Sequence, residues 1–217
     1  AGDSVNAKKI IDTGVTGIAY ETVTAPDGSM PLLAPMSTIA GQLAFTVGSY
    51  HLLKFNKGKG VMIGHLENIE PRTVTVIGAG VAGTQSILKA VENKAFVQVV
   101  DRSDKRLNEL KSELGDENIS YILSTDDSIR ETISKSDLVI GSVYVAGKEA
   151  PKVITKEMLS LMSPGTVMVD VSIDQGGCFE TSKPTTHDDP TFIKDYIVHY
   201  CVTNMPGAVP LTATQAL

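Results

Sequence analysis

From about residue 73 onward, short apolar runs alternate with segments whose apolar residues recur at helical spacing, and few folds satisfy that pattern. The runs cover 73–78, 96–101, 119–123, 138–142, 166–172 and 197–203; the helical segments cover 81–93, 104–114, 126–135 and 155–162. Several runs (TVTVIG, DLVIG, TVMVDV) are apolar at successive positions rather than at alternate ones. A strand so composed has to be covered on both faces, as a parallel strand between two layers of helices is. The expected class is therefore α/β, a doubly wound parallel sheet.

Gly78-Ala79-Gly80-Val81-Ala82-Gly83 stands where the first of these strands turns into the first of these helices. A G-x-G-x-x-G is common by chance, but strand before and helix after is the context that gives it meaning. Gly78 permits the tight turn, Gly80 lets a pyrophosphate approach the backbone, and Gly83 lets helix and strand pack closely. The helix N-terminus, with Ala79 and Val81 in the turn, offers N–H groups to an anion. Asp101 closes the next strand 18 residues beyond Gly83, near the spacing of an acid that binds adenosine ribose hydroxyls. A carboxylate there repels a 2′-phosphate and favours NAD over NADP, although neighbouring Arg102 is a residue type that accommodates one. No Lys follows Gly83, so the loop is not of the Walker A type. Strand, glycines, helix and acid in this order make the sheet Rossmann-type.

The first 60 residues carry other signals. GIAYETV at 17–23 reads as a strand and Pro26-Asp27-Gly28-Ser29 as a turn. Ser37 is placed to cap a helix running to about Lys54, and a capped start near a sheet edge is also a place for cofactor phosphates. Ala40, Gly41, Ala44 and Gly48 give that helix a stripe of small residues and hence close packing against a neighbour. Lys57-Gly58-Lys59-Gly60 reads as a flexible connection. The expected organisation is a linker with a partial substrate domain at 1–35, a dinucleotide-binding domain at 36–206, and the start of a return segment at 207–217.

Bulk properties narrow the function. A net charge of −6 supplies no basic footprint for nucleic acid. No apolar run is long enough to cross a bilayer, and AGDSVNAKKI lacks the signal-peptide pattern. Two cysteines, Cys178 and Cys201, are too few for a disulfide framework and fit a reducing, cytoplasmic setting. Cys178 reads as a buried thiol, and His51 and His199 as packed or surface residues. His65 reads as a loop residue. His187-Asp188-Asp189-Pro190 has metal-ligand residue types but the pattern of a solvated turn, so no metal site is assigned. That leaves the strand ends, where ligands bind in open α/β sheets. The run at 138–142 leads to Val143 and Tyr144, the last run to Asn204-Met205-Pro206, and the run at 166–172 to Ile173-Asp174-Gln175-Gly176-Gly177. Spacing alone leaves Asp174 open between a turn aspartate and a chemical one.

The words GVTGIAYETV, PLLAPMSTIAGQLA, VIGAGVAGT, SDLVIGSV, VDVSIDQGGCFE, THDDPTF and VTNMPGAVP together resemble the alanine dehydrogenase family over essentially the whole chain. That family extends to the NAD-binding subunit of proton-translocating transhydrogenase. The resemblance implies a two-domain, usually hexameric cytosolic enzyme that interconverts L-alanine with pyruvate and ammonium, using NAD. It implies that Gly78 to Gly83 bind the pyrophosphate, that Asp101 takes the adenosine ribose, and that Ser37 meets the phosphates; Arg102, next to Asp101, is counted with the cofactor-binding residues. Ser124, Val143 and Tyr144 would line the adenine and ribose side, Tyr144 standing where the family is more often aliphatic. Ile173, Asp174, Asn204 and Met205 would lie by the nicotinamide, with Asp174 as the catalytic aspartate beside a histidine. In the family that histidine precedes the segment matching Ala1-Gly2-Asp3-Ser4, and the substrate-binding arginine and lysine lie further upstream. The alternative is a non-catalytic NAD(H)-binding domain of a transhydrogenase alpha subunit, against which PLLAPMSTIAGQ has the short dehydrogenase form. A third is a relative such as the saccharopine dehydrogenases.

Overall fold

The runs apolar at successive positions become the strands of one seven-stranded sheet. The computed structural model describes residues 4–145 and 149–217. In chain order the elements are α1 (Ser4–Asp12), α2 (Ala34–His51), β1 (Thr73–Ile77), α3 (Val81–Glu92), β2 (Phe96–Asp101), α4 (Asp104–Leu114), β3 (Ile119–Leu123), α5 (Asp126–Lys135), β4 (Leu138–Gly141), β5 (Val167–Asp170), β6 (Thr191–Lys194), β7 (Ile197–Tyr200) and α6 (Pro210–Ala216). Residues 1–3, the start of the expected linker segment, lie outside the described residues.

The strand order is β3-β2-β1-β4-β5-β7-β6, with β6 antiparallel to β7 and every other pair parallel. The chain winds outward from β1 through β2 to β3, then crosses to β4 on the other side of β1. The order thus reverses between β1 and β4, which makes the sheet a Rossmann-type doubly wound one. Its two faces hold separate cores. Val74, Val76, Val97, Val99, Leu138, Ile140, Val167 and Val169 join one, while Ile77, Val100, Val139 and Met168 join the other. The period of two in a strand sends neighbours to opposite faces, and here both faces are apolar and covered. Each such side chain contributes about 1.5–3 kcal/mol through burial.

The small-residue stripe of α2 does what its composition implies. A Cβ at Gly41 would stand 2.0 Å from the Ala82 carbonyl oxygen on α3, and one at Gly48 would stand 2.5 Å from Leu138 Cδ1 on β4. The Ser86 hydroxyl donates to the Gly41 carbonyl at 2.7 Å, and the Gln42 and Gln85 side chains meet at 3.0 Å. The long helix is therefore locked to the helix that opens from the glycine turn.

Several expectations need correction. Ser37 is not the cap of α2: the helix starts at Ala34 behind Leu33, and Ser37 N–H already donates to the Leu33 carbonyl. Pro35 explains the earlier start, because a proline fits the first helical turn, where an N–H lacks a partner anyway. The helix ends at His51, and a separate 3₁₀ turn covers Lys54–Asn56. GIAYETV is no strand but contains a 3₁₀ turn at Tyr20–Thr22, since nothing among the described residues pairs with it. Residues 57–60 are tied down rather than slack. Lys59 N–H donates to the Gly165 carbonyl, its ammonium pairs with Asp137 at 2.9 Å, and a Cβ at Gly58 would strike the His51 carbonyl oxygen. The segment at 155–162 folds only as a 3₁₀ helix, Glu157–Leu161, which ends just before Pro164 and Gly165. The strand β6 was not expected. It returns through Asp195 and Tyr196, both at positive φ, a hairpin turn with a usual Asp first but a Tyr where Gly is the rule. Cys178 is buried as read, His51 and His199 turn out to be the packed rather than the surface alternative, and His65 is exposed in a loop.

Two outcomes follow for stability. Gly41→Ala forces α2 away from backbone that cannot yield and lowers stability by about 1–3 kcal/mol in a denaturant titration, whereas Gly17→Ala, with open space around it, changes it by less than about 0.5 kcal/mol. His199 is fully buried, its Nδ1–H donating to the Ile197 carbonyl and its Nε2 accepting from the Thr181 hydroxyl, and burial holds its pKa below the ordinary value, as it does for His51. A depressed histidine contributes stability above its unfolded pKa of about 6.5, lost as pH falls toward the folded value. The melting temperature therefore drops on acidification from pH 7 to 5, and the drop is shallower in His199→Phe.

Candidate functional site

Parallel pairing places the carboxyl ends of six strands on one edge, and every residue singled out at a strand end lies along it. The first is the glycine turn. Gly78 has φ +95°, and a Cβ there would stand 2.5 Å from the Ser142 carbonyl oxygen beyond β4. A Cβ at Gly83 would strike the Gly78 carbonyl oxygen and stand 2.6 Å from the Ser142 hydroxyl, which donates to that same carbonyl at 2.7 Å. These two glycines are required by the protein's own packing. Gly80 is different: a Cβ there would meet nothing within 4 Å. Its φ of −70° is open to any residue, so the bareness of Gly80 serves whatever comes up to the loop from outside.

Outside Gly80 lies a cavity of ≈ 560 Å³ lined by Ala79, Gly80, Val81, Thr84, Gln85, Asp101, Ser103 and Arg106. No side chain caps α3, which opens from this cavity. By contrast, α4 is capped by Ser103 and α5 by a reciprocal pair, Thr125 and Ser128. The positive end of α3 is thus the one of these three left to an external anion. Asp101 accepts Ala79 N–H at 2.7 Å on one oxygen and Ser103 N–H at 2.8 Å on the other. Each oxygen keeps a lone pair for a hydroxyl. Arg106, which the sequence reading missed, donates from Nε to the Ala79 carbonyl at 3.0 Å and from a terminal nitrogen to the Thr84 hydroxyl at 3.0 Å. Ala79 is therefore held at its N–H by an acid and at its carbonyl by a guanidinium. The available signal was a cationic side chain one turn past a serine cap.

Ser124 N–H donates to the Asp101 carbonyl at 2.9 Å, so the β3 end sits beside the carboxylate. Arg102 is exposed and does not line the cavity. Ser37 lies one turn before Gly41, and therefore near Ala82 of the glycine turn. Val143 accepts the Ser172 hydroxyl on its carbonyl, and Tyr144 is 45% exposed with its hydroxyl 3.8 Å from Met30 Sδ.

At the other half of the edge, Asp174 sits in the 3₁₀ turn Ile173–Gln175 after β5. The carboxylate that holds this turn together is not Asp174 but Asp170. Asp170 is fully buried and accepts from Ser172 N–H, Cys178 N–H and thiol, Phe179 N–H and the Ser182 hydroxyl. Burial pushes its pKa up while those donors pull it down, and burial prevails. The same burial, with Asp170 beside it, pushes the Cys178 thiol well above its ordinary value. Gly177 is at φ +77°, and a Cβ there would stand 2.7 Å from the Asp170 carboxylate. The Lys152 ammonium donates to the Gly176 and Gly177 carbonyls. Asp174 is left exposed, accepting Asn204 N–H at 3.3 Å from the loop beyond β7. Ile173 and Met205 are each 3% exposed, so their side chains face inward and only their backbones reach the edge. Asn204 is exposed, at φ +53°. An acid inside an otherwise apolar buried strand was the signal for Asp170.

A doubly wound sheet with a bare glycine turn, an uncapped helix and an acid at the next strand end defines a Rossmann-type domain. The family model "Alanine dehydrogenase/PNT, C-terminal domain" matches residues 44–217, and the chain belongs to that family. It is 50% identical over 217 residues to an alanine dehydrogenase of Halomonas elongata, covering 100% of this chain and 58% of the relative. It is 47% identical to an alanine dehydrogenase of Mycobacterium tuberculosis over 209 residues, 96% of this chain and 56% of the relative. Among solved structures, an L-alanine dehydrogenase aligns with TM-score 0.91 at 42% identity, covering 97% of this chain and 58% of that one. A transhydrogenase from Sinorhizobium meliloti shares the fold, with TM-score 0.72 at 24% identity, covering 85% of this chain and 52% of that one. The chain thus spans under two thirds of the length of these relatives.

The two aspartates separate in a stability measurement. Asp170→Ala leaves several buried donors unmatched and costs about 3 kcal/mol in a denaturant titration, whereas Asp174→Asn changes stability by less than about 0.5 kcal/mol.

Proposed function

We propose that this chain is the NAD-binding part of an alanine dehydrogenase, converting L-alanine, NAD and water to pyruvate, ammonium and NADH. The observation that carries the reading is the division of labour after β5: Asp170 holds the loop, and Asp174 stands exposed at the ligand-binding edge with no structural task in its own turn. The substrate class is supported by the relatives, which are alanine dehydrogenases.

The residues fit a dinucleotide on their own chemistry: an uncapped helix start, a glycine with open space outside it, and a carboxylate with lone pairs to spare beside a cavity. Asp101 takes the adenosine ribose hydroxyls and its charge disfavours a 2′-phosphate, so NAD is the cofactor of choice. The turn from Gly78 to Gly83, with Ala79 and Val81, takes the pyrophosphate, Ser37 lies by the phosphates, and Arg102 stands next to Asp101 on the ribose side. Ser124, Val143 and Tyr144 border the adenosine half. Ile173, Asn204 and Met205 border the nicotinamide half, the first and last through their backbones. NAD, when bound, supplies the hydride acceptor. Asp174 holds or moves the proton at the substrate nitrogen or the attacking water, together with a histidine from the remainder of the enzyme.

On this reading residues 1–35 belong to a linker and partial substrate domain, 36–206 to the NAD-binding domain, and 207–217 to the return toward the substrate domain. The enzyme acts in the cytoplasm as a homo-oligomer, a hexamer by resemblance. Cys178 and Cys201 are free thiols, as a reducing compartment keeps them. No helix among the described residues is long and apolar enough to cross a membrane.

The full-length protein tests the reading by absorbance of NADH. It forms NADH in an L-alanine-dependent manner, and Asp174→Asn lowers kcat by about 10²–10⁴ while NAD affinity is retained. An alanine-independent or silent wild type overturns the activity, and unchanged turnover in Asp174→Asn returns that residue to a loop carboxylate.

A further inference from the structure

Three segments meet at Asn204, those of Asp174, of His187 and its own. Asn204 N–H donates to the Asp174 carboxylate at 3.3 Å, and the Asn204 carbonyl lies 3.2 Å from Nε2 of His187. A carbonyl only accepts, so Nε2 carries the proton and donates. The loop that bears His187 is built onto this edge rather than left loose in solvent. Thr185 N–H donates to the Cys201 carbonyl at 2.9 Å and Thr203 N–H to the Thr185 carbonyl at 3.3 Å, so 185 pairs in parallel with 202. The Thr185 hydroxyl donates to the Pro190 carbonyl, and Asp189 N–H to the Thr186 hydroxyl, which closes the loop around His187.

Asn204 needs such a hold. It sits at φ +53°, ψ +52°, a left-handed conformation that a residue with a side chain adopts at some cost. That conformation presents its N–H to β5's loop and its carbonyl to the other side. The carbonyl takes Gly207 N–H at 2.9 Å as well as the His187 ring. A Cβ at Gly207 would stand 3.0 Å from Asn204 Nδ2 and 3.5 Å from His187 Nε2, so imidazole, asparagine and glycine are packed against one another. The turn reading of 187–190 stands, for all four residues are solvent-facing or nearly so. It omits what the imidazole touches.

We propose that His187 is a positioning residue for Asp174, acting through the backbone of Asn204; this rests on the dehydrogenase reading above. The imidazole keeps the Asn204 peptide left-handed, and the Asn204 N–H in turn fixes the rotamer of a carboxylate with few other restraints. His187 does not line the cavity at the glycine turn. Its removal lowers the rate through the placement of Asp174 and leaves the adenosine and pyrophosphate contacts of the cofactor in place.

The experiment compares full-length wild type, His187→Ala and His187→Gln by steady-state rates with L-alanine at varied NAD, and by amide exchange of the 202–208 segment. In His187→Ala, kcat falls about tenfold, the KM for NAD moves less than about twofold, and exchange at 202–208 quickens. Gln supplies an N–H at similar reach, so His187→Gln regains most of the rate and the slow exchange. An unchanged kcat in His187→Ala overturns the proposal, and so does a Gln variant as impaired as the Ala variant. A wild type silent on alanine defeats the dehydrogenase reading instead. Exchange then decides: quickening in His187→Ala still upholds the hold on Asn204, and its absence overturns it.

Discussion

The junction between β1 and β4 is the contact on which the rest depends. Gly78, Gly83 and Ser142 approach so closely that no side chain fits at either glycine, and one hydroxyl hydrogen bond closes the gap. That contact sets α3 against the sheet with its N-terminus at the carboxyl edge. Through Ala82 and Gly41 it also sets α2, which packs on α3 and reaches β4 at Gly48. Two short steric steps, strand to helix and helix to helix, thus fix both the anion-facing turn and the layer that covers it. Overpacking at such points is costly because backbone rather than a side-chain tip lies opposite.

The parallel half of this arrangement was legible in the sequence because its physics is local. Apolar residues at successive positions demand two covered faces, and glycines between strand and helix demand a turn. The ends of β1, β2, β3 and β4 came out within a residue. What escaped was set by partners distant in the chain. GIAYETV has strand composition but no neighbour among the described residues to complete a ladder. The antiparallel β6 hides because Tyr196 adopts positive φ where a Gly would advertise the turn. Ser37 looked like a cap because serine favours that role, yet Leu33 and Pro35 start the helix a turn earlier.

The same distinction runs through the candidate site. Asp101 could be located by spacing alone, since strand and turn are consecutive. Arg106 could not, because its meaning lies in reaching back to Ala79 and Thr84. Asp174 was visible but ambiguous: a turn aspartate and a chemical aspartate before Gly-Gly read alike. What the structure adds is another carboxylate in the structural role. Asp170 collects donors from 172, 178, 179 and 182 and so closes the loop on itself from inside. Asp170 is buried among many donors and Asp174, four residues on in the same loop, is exposed with one.

The two halves of the edge differ in how they hold their residues. On the β1–β3 side each strand runs directly into a helix, and helix starts at Gly80, Ser103 and Thr125 present backbone groups in fixed directions. Beyond β5 the chain has no α-helix until α6, and only a 3₁₀ turn and a hairpin connect β5 to β7. Loops of this kind lack the regular hydrogen bonds that make a helix start rigid, so single side chains must replace them. Asp170 gathers N–H groups, Lys152 gathers the carbonyls of Gly176 and Gly177, and His187 takes the carbonyl of Asn204. An acid, a base and an imidazole thus brace the half of the edge where Asp174 stands.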